Sequence, residues 1–147
     1  MAAKRRADVT WEGDLPSGRG VVTATTSGTV KDLNVSWASR TEGPDSRTSP
    51  EELLAAAHAA CFCMGLSAAL GRAGTPPEKL DASATVTFDR VGDGFKVVSS
   101  ALEVRGRVPG IDQAAFEKAA EGAKNNCPIS KAITGNVELS VKATLES

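Results

Sequence analysis

The sequence predicts an α+β domain built mainly on antiparallel sheet. Stretches of strict apolar and polar alternation recur near both ends and in the middle of the chain. One long helix-like segment, from residue 50 to about residue 70, is apolar on every side. The strand-like segments come in neighbouring pairs instead of alternating singly with helices, which separates this pattern from a parallel α/β fold. With 147 residues, 41% of them hydrophobic, the chain is long enough for a real core, and residues 1–147 are expected to form a single domain. No internal repeat or low-complexity linker interrupts it.

Ala7, Val9 and Trp11 alternate with Asp8, Thr10 and Glu12 as in a half-buried strand. The Gly13-Asp14 and Pro16-Ser17-Gly18 clusters turn the chain, and residues 20–26 return as the second strand of a hairpin. A short further strand is expected between Asn34 and Arg40, followed by a polar loop over residues 41–48 that contains Pro44. Ser49-Pro50-Glu51-Glu52 then reads as a helix start. Ser49 serves as N-cap, Pro50 takes the first helical position where its missing N–H costs nothing, and Glu52 completes an S-x-x-E capping box. Gly71 and Gly74 are expected to stop the helix near Leu70. With aromatics at only 4%, one subunit could hardly wrap a helix that is apolar all round, so a second subunit is expected to pack on it.

Ala82, Ala84, Val86 and Phe88 next alternate with Ser83, Thr85, Thr87 and Asp89, and Gly92-Asp93-Gly94 turns the chain into a longer strand. There the apolar phase moves from odd positions (Phe95, Val97) to even ones (Leu102, Val104, Val108), which predicts a bulge between Val98 and Ala101. A second helix starts near Asp112, gathers Phe116, Ala119, Ala120 and Ala123 on one face, and ends at Asn125-Asn126. Pro128 forces Cys127 out of helical geometry and into the N-cap position of a short helix over residues 128–132. Val137, Leu139, Val141, Ala143 and Leu145 alternate as a final strand.

Several function classes fall away. The 17 basic and 18 acidic residues give a formal charge of −1, leaving no excess to track phosphates, and nucleic acid is not an expected partner. The start Met-Ala-Ala-Lys-Arg-Arg has no apolar signal region, so a cytoplasmic location is expected. The segment from Leu53 to Leu70 approaches a membrane span in length, but it is mostly Ala and contains His58, Gly65 and Ser67; no membrane partner is expected. Nucleotide-binding glycine motifs are absent, and a single histidine with no C-x-x-C pair gives no metal site, so no cofactor is expected.

Three cysteines, an odd number, do not suggest a secreted disulfide scaffold. Cys61 and Cys63 point to nearly opposite faces of their helix and cannot share a site. Any one of the three, taken alone, reads as a small packed hydrophobe, and Cys63 keeps that reading. Cys127 sits at a helix start, whose free N–H groups favour a thiolate. Cys61, buried mid-helix, has no such help and needs an external cation. On these grounds Cys127 is the better nucleophile. His58, one turn before Cys61, invites a Cys-His dyad, yet i,i+3 side chains align poorly for proton transfer; a packed core histidine bonded to a backbone carbonyl is preferred. Glu51 stands about 15 Å along the helix axis from Cys61. It acts there only through a bridging arginine or across an antiparallel dimer contact, with Arg19, Arg40 and Arg47 as candidates.

Five fragments together resemble the OsmC/Ohr family of thiol peroxidases, and more narrowly its OsmC branch: Trp11-Glu-Gly-Asp14, Arg40-Thr-Glu-Gly43, Ser49-Pro-Glu-Glu-Leu53, Ala57-His-Ala-Ala-Cys61 and Lys124-Asn-Asn-Cys-Pro-Ile-Ser130. The resemblance implies an intertwined homodimer of α+β subunits, with antiparallel sheets enclosing long central helices. It implies reduction of organic hydroperoxides, and more weakly of hydrogen peroxide, with an external dithiol or lipoylated protein as reductant. By resemblance Cys61 is the peroxidatic cysteine and Cys127 the resolving one, joined as a disulfide after each turnover. Arg40 is the arginine that stabilises the thiolate, and Glu51 is its carboxylate. The Ohr branch takes its arginine from an early glycine-rich hairpin, where this chain has Arg19; the OsmC-like Arg-x-Glu-Gly favours Arg40. Two other readings stand beside this one: a non-catalytic dimer that senses oxidants or binds apolar ligands, and a domain whose cysteines are simply packed.

Overall fold

A computed structural model describes residues 1–43 and 45–147. The chain divides into two compact units, residues 1–53 and residues 54–147. The first unit holds a three-stranded antiparallel sheet of β1 (Ala7–Glu12), β2 (Arg19–Thr25) and β3 (Leu33–Val35), in that order. A short helix α1 (Trp37–Thr41) and the first turn of α2 (Pro50–Arg72) complete it. The hairpin of β1 and β2 forms as the turn signals predict, but β1 is not half-buried: Ala7, Val9 and Trp11 are all exposed, because nothing among the described residues covers that face. Residues 34–40 are not one strand: β3 stops at Val35 and α1 follows. The reason is a reciprocal cap, in which the Ser36 hydroxyl accepts from the Ser39 N–H at 3.1 Å and the Ser39 hydroxyl accepts from the Ser36 N–H at 3.1 Å. The polar loop expected over residues 41–48 includes Pro44, which lies outside the described residues.

Helix α2 starts at Pro50, as its sequence dictates, and Ser49 accepts from the Glu52 N–H at 3.1 Å. The other half of the expected capping box does not form. The Glu52 carboxylate instead accepts from the Thr48 hydroxyl at 2.8 Å, one residue further back in the chain. At its far end α2 runs two residues past Leu70, to Arg72. Gly74, at φ +81, ends it, and the Thr75 N–H returns to the Leu70 carbonyl at 3.0 Å.

The second unit packs α2 and α3 (Gln113–Asn126) with a three-stranded sheet of β4 (Lys79–Val91), β5 (Gly94–Arg107) and β6 (Glu138–Leu145), in that order. The β4/β5 hairpin is antiparallel. Thr87 faces Ser99 while Phe88 faces Val97, so Val98 is the extra residue of a bulge, inside the window where the apolar phase shifts. Strand β6 lies parallel to β5, and the connection between them carries α3 and α4 (Pro128–Ile133). The fold is thus α+β, mainly antiparallel, with one parallel pair.

Phe62, Leu66 and Leu70, one helical turn apart on α2, meet Leu102 and Val104 of β5 and Phe116, Ala120 and Ala123 of α3 in one buried cluster. At 25 cal/mol per Å² or so, each such large side chain contributes about 1.5–3 kcal/mol when fully buried. The opposite stripe of α2, including Ala57, Ala60, Met64 and Ala68, is exposed in the single chain. By length and composition alone α2 is also long and apolar enough to cross a membrane.

Candidate active site

In the first unit, Arg40 at the end of α1 grips Glu51 in the first turn of α2. Its Nη2 donates to Oε1 at 2.7 Å and its Nε to Oε2 at 3.2 Å, a two-point fork in a half-buried setting. The guanidinium also lies 5.7 Å from the centre of the Trp37 ring. The tight capping of α1 fixes the helix turn that carries Arg40, and the helix start at Pro50 fixes Glu51. A cavity of about 260 Å³ opens here, with Trp11, Leu15, Val35, Trp37 and Arg40 among its walls. Arg19 is placed differently: it pairs with Glu12 at 3.0 Å across the hairpin, and both side chains are well exposed.

In the second unit, the thiols of Cys61 on α2 and Cys127 at the α3/α4 junction lie near disulfide distance and share a hydrogen bond. Cys61 is half-buried and not fully enclosed as the sequence suggested; Cys127 is buried. Both line a groove of about 470 Å³ whose walls include Met64, Ala68, Ala119 and Pro128. The two sulfurs differ in acidity. Burial pushes the Cys127 thiol up, but the hydrogen bond from Cys61, the N–H and hydroxyl of Ser130 and the N–H of Ile129 together outweigh it and hold Cys127 below the ordinary thiol value. Burial likewise pushes Cys61 up; there Cys127 adds to the rise, and the Ile129 N–H offsets only part of it. Cys127 is the N-cap of α4 with Pro128 behind it, the helix-start position expected for it. Cys63 faces elsewhere; burial raises its thiol and the charge of Asp81 on β4 raises it further.

His58 is a fully buried core histidine and forms no dyad with Cys61. Its partners are hydroxyls instead of the backbone carbonyl expected: Nδ1 lies 2.7 Å from Ser100 Oγ on β5 and Nε2 lies 2.8 Å from Ser130 Oγ on α4. Burial pushes its imidazole pKa down. Among the described residues no three His, Cys, Asp or Glu side chains gather as a metal-binding group.

A family model described as OsmC-like protein matches residues 43–142, well over half of the chain. The chain belongs to the OsmC/Ohr family. It sits on the OsmC branch: "Peroxiredoxin OsmC" of Escherichia coli (strain K12) is 40% identical over 139 residues, covering 95% of this chain and 96% of that one. Among solved structures, a Legionella pneumophila protein described as an organic hydroperoxide resistance protein OsmC is 25% identical with a TM-score of 0.71, covering 95% of this chain and 96% of that one. The organic hydroperoxide resistance protein OhrB of Bacillus subtilis is 26% identical with a TM-score of 0.71, covering 96% of this chain and 98% of that one.

Within this OsmC-branch chain, four site candidates named by sequence fall into two couples, Arg40 with Glu51 and Cys61 with Cys127. Ser100 and Ser130 escaped sequence reasoning. Ser130 did carry a signal, since it stands three residues after Cys127, where an N3 side chain can reach back to the cap. Ser100 carried a fainter one: a serine on the even phase of β5, in line with the buried Leu102 and Val104.

Proposed function

We propose that this protein is a cysteine-based peroxidase that reduces organic hydroperoxides, and hydrogen peroxide more weakly, through Cys61 and Cys127. The observation that carries the reading is the close approach of these two thiols in an apolar groove. Membership of the OsmC branch supports it.

In the first step the Cys61 thiolate attacks the distal peroxide oxygen. The O–O bond breaks, the distal OH stays on sulfur so that Cys61 becomes a sulfenic acid, and the departing alkoxide takes a proton from solvent to leave as the alcohol. In the second, the Cys127 thiolate attacks that sulfur, the S–O bond breaks, and hydroxide leaves and is protonated to water as the disulfide forms. An external dithiol, free or as a lipoyl group on a protein, then reduces the disulfide by exchange. The mechanism needs a cation for Cys61, because its local surroundings push its thiol up while they favour charge on Cys127. We assign that task to Arg40, with Glu51 orienting its guanidinium; the two-point fork supports this choice over the exposed Arg19. The apolar walls of the groove suit the tail of an alkyl or lipid hydroperoxide.

The working form is proposed to be an intertwined homodimer. One stripe of α2 is committed to the core of its own chain, while Ala57, Ala60, Met64 and Ala68 stay exposed, a face that fits a second copy.

A peroxide-consumption assay with a dithiol tests the enzyme. Turnover is expected in the parent protein and lost in Cys61→Ser; a parent protein that consumes no peroxide sinks the proposal. Intact-mass analysis after one equivalent of an organic hydroperoxide should show loss of two hydrogens mapped to Cys61 and Cys127. That disulfide forming without turnover would point to the oxidant sensor instead.

A further inference from the structure

Three buried side chains have no task in the steps above: Ser100, His58 and Ser130. Each is 0% exposed, so water cannot substitute for a missing partner. A neutral imidazole has one N–H, and each serine hydroxyl has one hydrogen. Two directions of donation are therefore open along the row.

If Nδ1 carried the hydrogen, it would donate to Ser100, and Ser130 would donate to Nε2. The Ser100 hydroxyl hydrogen would then have no acceptor, since among the described residues His58 is the one hydrogen-bond partner of Ser100 Oγ, side chain or backbone. In the opposite direction every hydrogen is used. Ser100 donates to Nδ1 at 2.7 Å, Nε2–H donates to Ser130 Oγ at 2.8 Å, and the Ser130 hydrogen is free for a further acceptor. The acceptor we assign to it is the sulfur of Cys127, which stands at the N-cap of α4 three residues earlier, the spacing at which a cap and an N3 side chain face each other.

We propose that His58 is a positioning residue for Cys127: as the neutral Nε2–H tautomer, oriented by Ser100, it holds Ser130 so that the hydroxyl hydrogen points at the Cys127 sulfur. Ser130 thus joins the N–H groups of Ile129 and Ser130 as a donor to the Cys127 thiolate. The titratable group facing Cys127 from α2 is Cys61, and burial alone acts on His58. His58 stays neutral throughout. When the thiolate attacks the sulfenic sulfur of Cys61, the S–S bond forms, hydroxide leaves and solvent protonates it. The only oxidant involved is the peroxide already reduced. The bearing of this on catalysis rests on the peroxidase reading, so the test reads the thiol and the imidazole without peroxide.

As the chain has a single histidine, the imidazole ¹⁵N signals of the reduced protein belong to His58 alone. A protonated Nε2 and an unprotonated Nδ1 are expected. The reverse tautomer would divert the Ser130 hydrogen and overturn the proposal without any variant.

The second arm follows the pH dependence of Cys127 alkylation, mapped to its peptide, in a Cys61→Ser background. Ser130→Ala is expected to move the midpoint up by about one pH unit. His58→Leu should move it as far, and His58→Gln, which keeps an N–H donor toward Ser130, by less than half as much. Added to Ser130→Ala, His58→Leu should cause no further shift. Unmoved midpoints, or shifts that add, overturn the proposal. Loss of peroxide turnover with these results intact would instead count against the peroxidase reading.

Discussion

Cys127 and Cys61 are chemically the same side chain, and their neighbours make them different. The Ile129 N–H favours charge on both sulfurs, but Ser130 offers its hydrogens to Cys127 alone, while Cys61 sits in mid-helix beside a thiol that prefers the charge. This half of the site was legible, because Pro128 fixes the helix start from sequence alone. His58 was only half legible. Its burial followed from the apolar run around it, but its partners come from 42 and 72 residues away, beyond any periodicity argument. Its burial also sets a pH response. Below about pH 6.5 an unfolded imidazole takes up a proton that the folded, depressed one refuses. The stabilising contribution is therefore complete above that value and declines as the pH falls toward the folded pKa. The urea midpoint of the reduced protein should fall as pH drops from about 7 to about 5, and more steeply than in His58→Gln. Parallel slopes would show that His58 is not the group responsible.

Among the elements, the docking of α3 on the sheet depends on a missing side chain. Gly106 of β5 lies under Phe116, and a Cβ there would come within 2.8 Å of the ring Cε2 and closer still to Cζ. Phe116 is 0% exposed and has nowhere to retreat. Gly106→Ala is expected to lower stability by about 1–3 kcal/mol in urea denaturation, an overpacking effect. An unchanged midpoint would mean that α3 shifts freely. The apolar spacing of α3 and the phase shift of β5 could both be read from sequence, because each is a local pattern against a fixed period. Helix α1 could not. Its cap pairs two serines where the usual signature has Glu or Gln at the third position, and the strand before it is only three residues long. The parallel placement of β6 was equally hidden, since alternation reports a face and not a direction.

At the scale of the molecule, α2 looks both ways, with His58, Phe62, Leu66 and Leu70 turned to its own core and the Met64 stripe left uncovered. Light scattering coupled to gel filtration should give the mass of two chains, near twice 15.1 kDa. A monomer at micromolar concentration would remove the dimer from the proposal. The expectation of a second subunit comes from the all-round apolar character of α2, which leaves no polar face to be solvated.

The parallel pairing of β5 with β6 has a consequence for when the thiol couple comes into being. A hairpin such as β4/β5 closes over a two-residue turn, whereas β6 must return across the whole connection that holds Cys127. Cys127 is thus carried on a strap pinned at both ends by one sheet, and the donors that ready its sulfur follow it in the chain. During synthesis both cysteines leave the ribosome before β6 does. Until that strand pairs with β5, the segment carrying Cys127 is held to the sheet at one end only, so the approach of Cys127 to Cys61 on α2 depends on a long-range closure.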